Sequence, residues 1–173
     1  QLDDPRSIYQ VIVMLQGVVE RGTAVAALSL GNSIAGKTGT TDDDKDTWFI
    51  GFTRDLVCGV YVGFDQPRTQ GPGETGATVA LPVFIDFMKV ALEDHPAVPF
   101  HVPPGIALVR VRGSDGLVAQ PGDKRVVLVP FKPGTAPVAA AAVLDAGNQQ
   151  PAEPTPTLRA IPAVAEANLG GLY

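Results

Sequence analysis

Apolar positions recur at helical spacing near the start of the chain, at Ile8, Val11, Ile12, Leu15, Val18 and Val19. Asp4 followed by Pro5 supplies an N-cap and a first helical residue, and Arg21-Gly22 supplies a stop. Thr23 to Leu30 is a small-residue apolar stretch compatible with strand, helix or buried loop. The pattern then changes. Ile34 to Thr40 is short and punctuated by glycine, and Asp42 to Asp46 form a charged loop. Thr47 to Thr53 and Leu56 to Phe64 are strand-like runs joined at Arg54-Asp55, a link short enough to impose antiparallel pairing. Gly51 and Gly59 weaken these strands, which predicts that something packs close to the backbone at both.

Gln66 to Gly76 reads as a Gly/Pro loop. A second amphipathic helix follows, with Leu81, Phe84, Ile85, Met88 and Leu92 on one face. Pro82 is tolerated in its first turn and kinks it otherwise, and Pro96 closes the element. Ile106 to Arg112 and Leu117 to Ala119, separated by Gly113-Ser114-Asp115-Gly116, read as a small hairpin, and Val126 to Val129 as an added strand. From Pro130 onward the chain carries seven of its 16 prolines and many alanines. Such a segment buries too little apolar surface to offset backbone ordering, which predicts a flexible tail. The predicted architecture is therefore α/β: an antiparallel sheet of three strands between Ile34 and Phe64, packed by the helices near Ser7 to Arg21 and Val79 to Leu92. Residues 1–100 form the main unit, 101–135 a small β extension and 136–173 the tail.

The chain has 173 residues, 45% of them hydrophobic, enough for one sizeable core. A formal net charge of −5 disfavours nucleic acid and anionic membrane surfaces, both of which need a basic face. No apolar run approaches the ~18 residues of a membrane-spanning helix. The lone cysteine, Cys58, lies in an apolar run and reads as a small core residue. The abrupt opening at Gln1-Leu2-Asp3-Asp4 reads as that of a cut piece.

One local pattern carries chemistry: Gly31-Asn32-Ser33-Ile34-Ala35-Gly36-Lys37-Thr38-Gly39-Thr40. Gly31 to Thr38 fits the spacing of a phosphate-cradling loop, and Val60 to Asp65 could pass for an apolar strand ending in a magnesium-binding aspartate. That mechanism needs a helix opening at the lysine, so that free N–H groups face the phosphates. Gly39, Thr40, Thr41 and a run of aspartates make a poor first turn, and the acidic run would repel a triphosphate. The competing reading takes Lys37-Thr38-Gly39 as the Lys-Thr-Gly motif of serine acyl-transfer enzymes, on a strand beside the reaction site.

The surroundings favour the second reading. Ala35 to Thr41, Lys45 to Thr53 and Val60 to Asp65 closely resemble the end of the class A, bifunctional penicillin-binding proteins. So do Gln16 to Ala24, Gly73-Glu74-Thr75-Gly76, Phe87-Met88-Lys89 and Phe131 to Thr135, in the same order. The resemblance runs from about residue 3 to residue 135. It implies a fold like the penicillin-binding and serine β-lactamase transpeptidases, part of a five-stranded sheet between helices. It further implies a peptidoglycan D,D-transpeptidase on the periplasmic side of the bacterial inner membrane, acting on stem peptides and inhibited by β-lactams. Glycosyltransferase activity and a membrane anchor would lie upstream. No cofactor or metal is implied, and other envelope proteins are possible partners.

In that family a serine attacks the penultimate D-Ala of a stem peptide, the last D-Ala leaves, and a neighbouring amine takes the acyl group. By resemblance, Lys37 would place positive charge near the donor carboxylate and tune proton transfer at a second serine. Thr38 and Thr40 hydroxyls would bind that carboxylate, and the Thr40 N–H would be one oxyanion donor. Gly39 would leave room for substrate alongside the strand. Such donors contribute most when fixed before charge develops. The four serines, Ser7, Ser29, Ser33 and Ser114, begin neither Ser-x-x-Lys nor Ser-x-Asn. The nucleophile is therefore expected upstream of Gln1. A non-catalytic envelope scaffold, using the region after Phe100, is the rival of another class. His95 and His101 read as loop histidines. Asp42, Asp43, Asp44 and Asp46 read as a solvated loop without the glycine and glutamate of a calcium site, and Trp48 with Phe49 reads as core.

Overall fold

The structure is a computed structural model that describes residues 3–31, 33–95 and 97–137. Pro96 and the tail expected to be flexible, from residue 138 onward, lie outside the described residues.

Helix α1 spans Pro5–Arg21, with Asp4 accepting a hydrogen bond from the Arg6 N–H at 3.0 Å and Gly22 closing the other end. The stretch that sequence left open is a 3₁₀ segment, Val25–Leu30, which stops at Gly31 with φ 65°. Strands β1 (Ala35–Thr40), β2 (Thr47–Phe52) and β3 (Val57–Val62) form an antiparallel sheet in the order β1-β2-β3. Helix α2 covers Leu81–Ala91. It is preceded by a widened π turn, Gly76–Ala80, in which the Leu81 N–H reaches back to Gly76 O. Pro82 follows at once in the first turn of α2. A wide turn there relieves the crowding and missing N–H that proline imposes on a regular helix.

The core lies between one face of the sheet, α2 and the end of α1. Val19, Ala24, Ala27, Ile34, Phe49, Leu81, Phe84, Ile85 and Met88 form its buried cluster. Phe49 meets Phe84 edge to face at 4.7 Å. Gly51 has the predicted cause: a Cβ there would stand 2.7 Å from both the Phe49 and Phe84 rings. Gly59 does not, since its nearest neighbour, Ile50, is 3.7 Å away, an ordinary contact. The difference follows from alternation, because Gly59 lies on the opposite, uncovered face. The same alternation corrects the expectation for Trp48. Phe49 is fully buried, whereas Trp48 is 42% exposed and lies against Tyr61 with ring centroids 4.7 Å apart.

The second hairpin also differs from expectation. Strand β4 (Ala107–Arg112) pairs in full register with β5 (Val126–Phe131), while Leu117 to Ala119 contributes only the single bridge Val111↔Val118. Only β5 is long enough to complete a six-residue ladder, and Pro121-Gly122 turns the intervening chain away. This ribbon meets α1. The Gln10 side chain donates to Pro130 O at 2.9 Å, and Lys132 bonds to Ser7 Oγ at 2.6 Å.

Candidate active site

Lys37, Thr38, Gly39 and Thr40 occupy the last four positions of β1, an edge strand. No helix begins at Lys37, so the nucleotide-binding reading loses the element that would hold phosphates. Register fixes where the backbone groups point. Lys37 is paired with Ile50, Thr38 with Phe49, Gly39 with Trp48 and Thr40 with Thr47. Just beyond the strand, the Thr41 N–H bonds to Asp46 O at 3.0 Å, so residues of that parity, Gly39 and Lys37, exchange the ladder bonds with β2. Thr38 and Thr40 have the other parity. Their N–H and C=O groups point away from the sheet, along an edge that no strand among the described residues covers.

The side chains complete this edge. Lys37 is exposed, and its ammonium folds back to donate to Thr38 O at 2.9 Å and to Thr38 Oγ1 at 3.4 Å. Thr38 Oγ1 also lies 3.2 Å from Thr23 Oγ1. Thr40 Oγ1 accepts a hydrogen bond from the Gly76 N–H at 3.1 Å. Gly76 can approach so closely only because it has no side chain. A Cβ there would stand 2.3 Å from Trp48 O and 2.7 Å from Gly39 O. At Gly39 a Cβ would come within 3.2 Å of Trp48 Cβ, so this glycine is constrained by its own sheet partner.

The charged loop is tied down from outside. Gln70 donates through Nε2 to Lys45 O and Val62 O, both at 2.8 Å, and through its backbone N–H to Asp44 O at 2.9 Å. The Tyr61 hydroxyl donates to Asp46 at 2.9 Å, which raises the Tyr61 pKa above its ordinary value. Asp43 and Asp44 adopt positive φ, the conformation aspartate tolerates in tight turns. Partial burial raises the pKa of the Cys58 thiol, and Cys58 packs at the border of the core. His95 and His101 are exposed and far along the chain from the motif. A cleft of about 260 Å³ lined by Thr53, Arg54, Leu56, Leu92 and His95 lies at the other end of the strands from Thr40.

Sequence reasoning brought forward Lys37 to Thr40 but assigned no role to Thr23, Gln70 or Gly76. Thr23 and Gly76 lay within flanking segments that carried the resemblance. Gln70 had no local signal, because its partners are 8 and 25 residues away.

An antiparallel sheet packed by helices, the fold shared with the penicillin-binding transpeptidases, carries Lys-Thr-Gly-Thr on its edge strand β1. Residues 4–89 match the penicillin binding protein transpeptidase domain, and over those residues the chain belongs to that family. More particularly, it is similar to penicillin-binding proteins 1A. That of Rickettsia bellii is 52% identical over 119 residues, 69% of this chain and 15% of that protein. That of Pseudomonas aeruginosa is 47% identical over 130 residues, 75% of this chain and 16% of that protein. The crystal structure of penicillin-binding protein 1A from Haemophilus influenzae superposes with a TM-score of 0.64 at 35% identity, over 72% of this chain and 20% of that one. These matches are longer than residues 4–89, so they take in sequence outside the domain match. The chain spans about 15% of the length of the relatives it matches. No helix among the described residues is long and apolar enough to cross a membrane.

Proposed function

We propose that this chain supplies one wall of a D,D-transpeptidase site that cross-links peptidoglycan through a serine acyl-enzyme. In this reading residues 1–100 are the C-terminal part of the transpeptidase domain and 101–135 an extension. The nucleophilic serine comes from residues outside these 173, since none of the four serines begins Ser-x-x-Lys. The observation that carries the proposal is the free edge of β1, where Thr38 and Thr40 present outward N–H and C=O groups beside the Lys37 ammonium. An extended stem peptide can lie along such an edge by backbone pairing.

The serine oxygen attacks the carbonyl of the penultimate D-Ala, and the oxyanion forms beside the outward Thr40 N–H. The bond to the terminal D-Ala breaks as its nitrogen takes up the proton. An amine of a second stem peptide, or water in a carboxypeptidase reaction, then attacks the ester and frees the serine. Lys37 supplies positive charge near the terminal carboxylate, and the Thr38 and Thr40 hydroxyls donate to it. A β-lactam occupies the same positions with its own carboxylate. The site faces the periplasm in this reading, with glycosyltransferase activity and a membrane anchor on other parts of the same polypeptide. The experiment is labelling with fluorescent penicillin of the protein expressed from its complete reading frame. Covalent label on a serine outside residues 1–173 is expected. A folded protein that takes no label overturns the proposal.

A further inference from the structure

The geometry points to Thr23 as a positioning residue that commits the Thr38 hydroxyl to donating its proton, so that the site takes a carboxylate in preference to a neutral amide. This rests on the transpeptidase reading above and adds a residue that lies 15 positions upstream of Thr38.

A threonine hydroxyl has one proton and two acceptor lone pairs. At Thr38 the Lys37 ammonium, which can only donate, occupies one lone pair at 3.4 Å. Thr23 Oγ1 stands 3.2 Å away and can either give or receive a proton. A carboxylate is acceptor-only, so when it arrives one arrangement satisfies every group. Thr23 donates to Thr38, and Thr38 donates to the carboxylate. Both lone pairs of Thr38 are then taken, and its proton has one destination. A ligand N–H in place of the carboxylate oxygen finds no lone pair to accept it, so a carboxamide must turn its single neutral carbonyl oxygen to Thr38, a weaker acceptor than either oxygen of a carboxylate. Bonds chained in this way polarise one another, which strengthens the terminal bond to an anion.

Thr23 is held for this task. The Gly22 and Ala24 N–H groups both bond to Val18 O at 3.1 Å, so the backbone on either side of Thr23 is anchored to the same carbonyl at the end of α1. Ala24 is fully buried, which fixes the turn against the core. The hydroxyl of Thr23 is thus presented to β1 by packing that exists before any ligand binds.

The test compares wild type, Thr23→Val and Thr23→Ser in the protein expressed from its complete reading frame. Second-order labelling rates are measured with a carboxylate-bearing β-lactam and with the same β-lactam as its primary carboxamide. These rates are per active molecule, so partial loss of folded protein does not distort them. Thr23→Ala replaces Thr23→Val if the latter does not accumulate. Thr23→Val is expected to lower the carboxylate-to-carboxamide rate ratio by about three- to tenfold, the scale of one hydrogen bond, and Thr23→Ser to restore it. An unchanged ratio in Thr23→Val, or equal loss with both ligands, overturns the role of Thr23. Failure of wild type to label with either ligand overturns the transpeptidase reading instead.

Discussion

Lys132 reaches back 125 residues to donate to Ser7 Oγ at 2.6 Å, and its ammonium lies 3.1 Å from the carboxylate of Asp4, the N-cap of α1. The ribbon after the transpeptidase segment is therefore bonded to the start of the helix that leads to Thr23 and the motif strand. Replacing Lys132 with Met keeps the stem and removes the ammonium. We expect hydrogen exchange at β5 amides to quicken while that of β2 stays unchanged. Equal exchange in both proteins would show that the ribbon is held by its apolar contacts alone.

The same contact should depend on acidity. The Arg6 side chain and N–H, with a smaller contribution from Lys132, hold the Asp4 carboxyl well below the usual carboxylate range. A lowered folded pKa means the pairing contributes fully above the unfolded value of about 3.9 and is lost progressively as pH falls from there through the lowered folded value. Asp4→Asn should therefore weaken ribbon protection at pH 7, and the gap between variant and wild type should narrow below about pH 4. A gap independent of pH would remove the charge from the explanation.

Lys37→Ala should slow penicillin acylation by roughly 10²–10⁴-fold in the serine-bearing protein, the scale of a positioned acid–base group. Its side chain is exposed and contacts only Thr38 through hydrogen bonds, so the fold should persist. Stopped-flow labelling with an unchanged circular dichroism spectrum is the check. Wild-type rates would place the chemistry elsewhere.

Gly76→Ala tests how firmly the loop holds Thr40. The new methyl would meet Trp48 O and the Gly39 backbone, which cannot move without disturbing β1 and β2. Overpacking of this kind costs about 1–3 kcal/mol, and the Gly76 N–H would be pushed off Thr40 Oγ1. Lower thermal stability and slower acylation should appear together. A variant as stable as wild type would mean that the loop relaxes freely.

Residues 3–137 expressed alone should self-associate. Val57 and Met14 are each 68% exposed, and Ile8, Val11, Ile50 and Trp48 are also exposed. Exposed apolar side chains of this kind, with open strand edges, favour association. Val57→Lys with Met14→Glu should raise the monomer fraction in size-exclusion chromatography with light scattering. A wild-type polypeptide that is monomeric and melts sharply would show the surface to be tolerated.

The elements that sequence determined are those whose causes are local. Asp4-Pro5 and Gly22 bound α1 because capping acts within one turn, and Arg54-Asp55 set the β2–β3 hairpin because a short link permits only antiparallel return. Lys37 to Thr40 were legible as a strand because Gly39 and the following residues cannot open a helix. What needed tertiary structure was every choice between two faces or two partners. Trp48 and Phe49 are adjacent and equally apolar, and only the position of α2 decided which was buried. Val118 and Val127 both border Val111, and only the length of the available ladder selected β5 as the full partner of β4. Thr23, Gln70 and Gly76 act on the motif region across 15 to 36 residues, where sequence spacing carries no distance. Alternation and capping are properties of a few bonds, whereas the approach of separate segments depends on how the whole core closes.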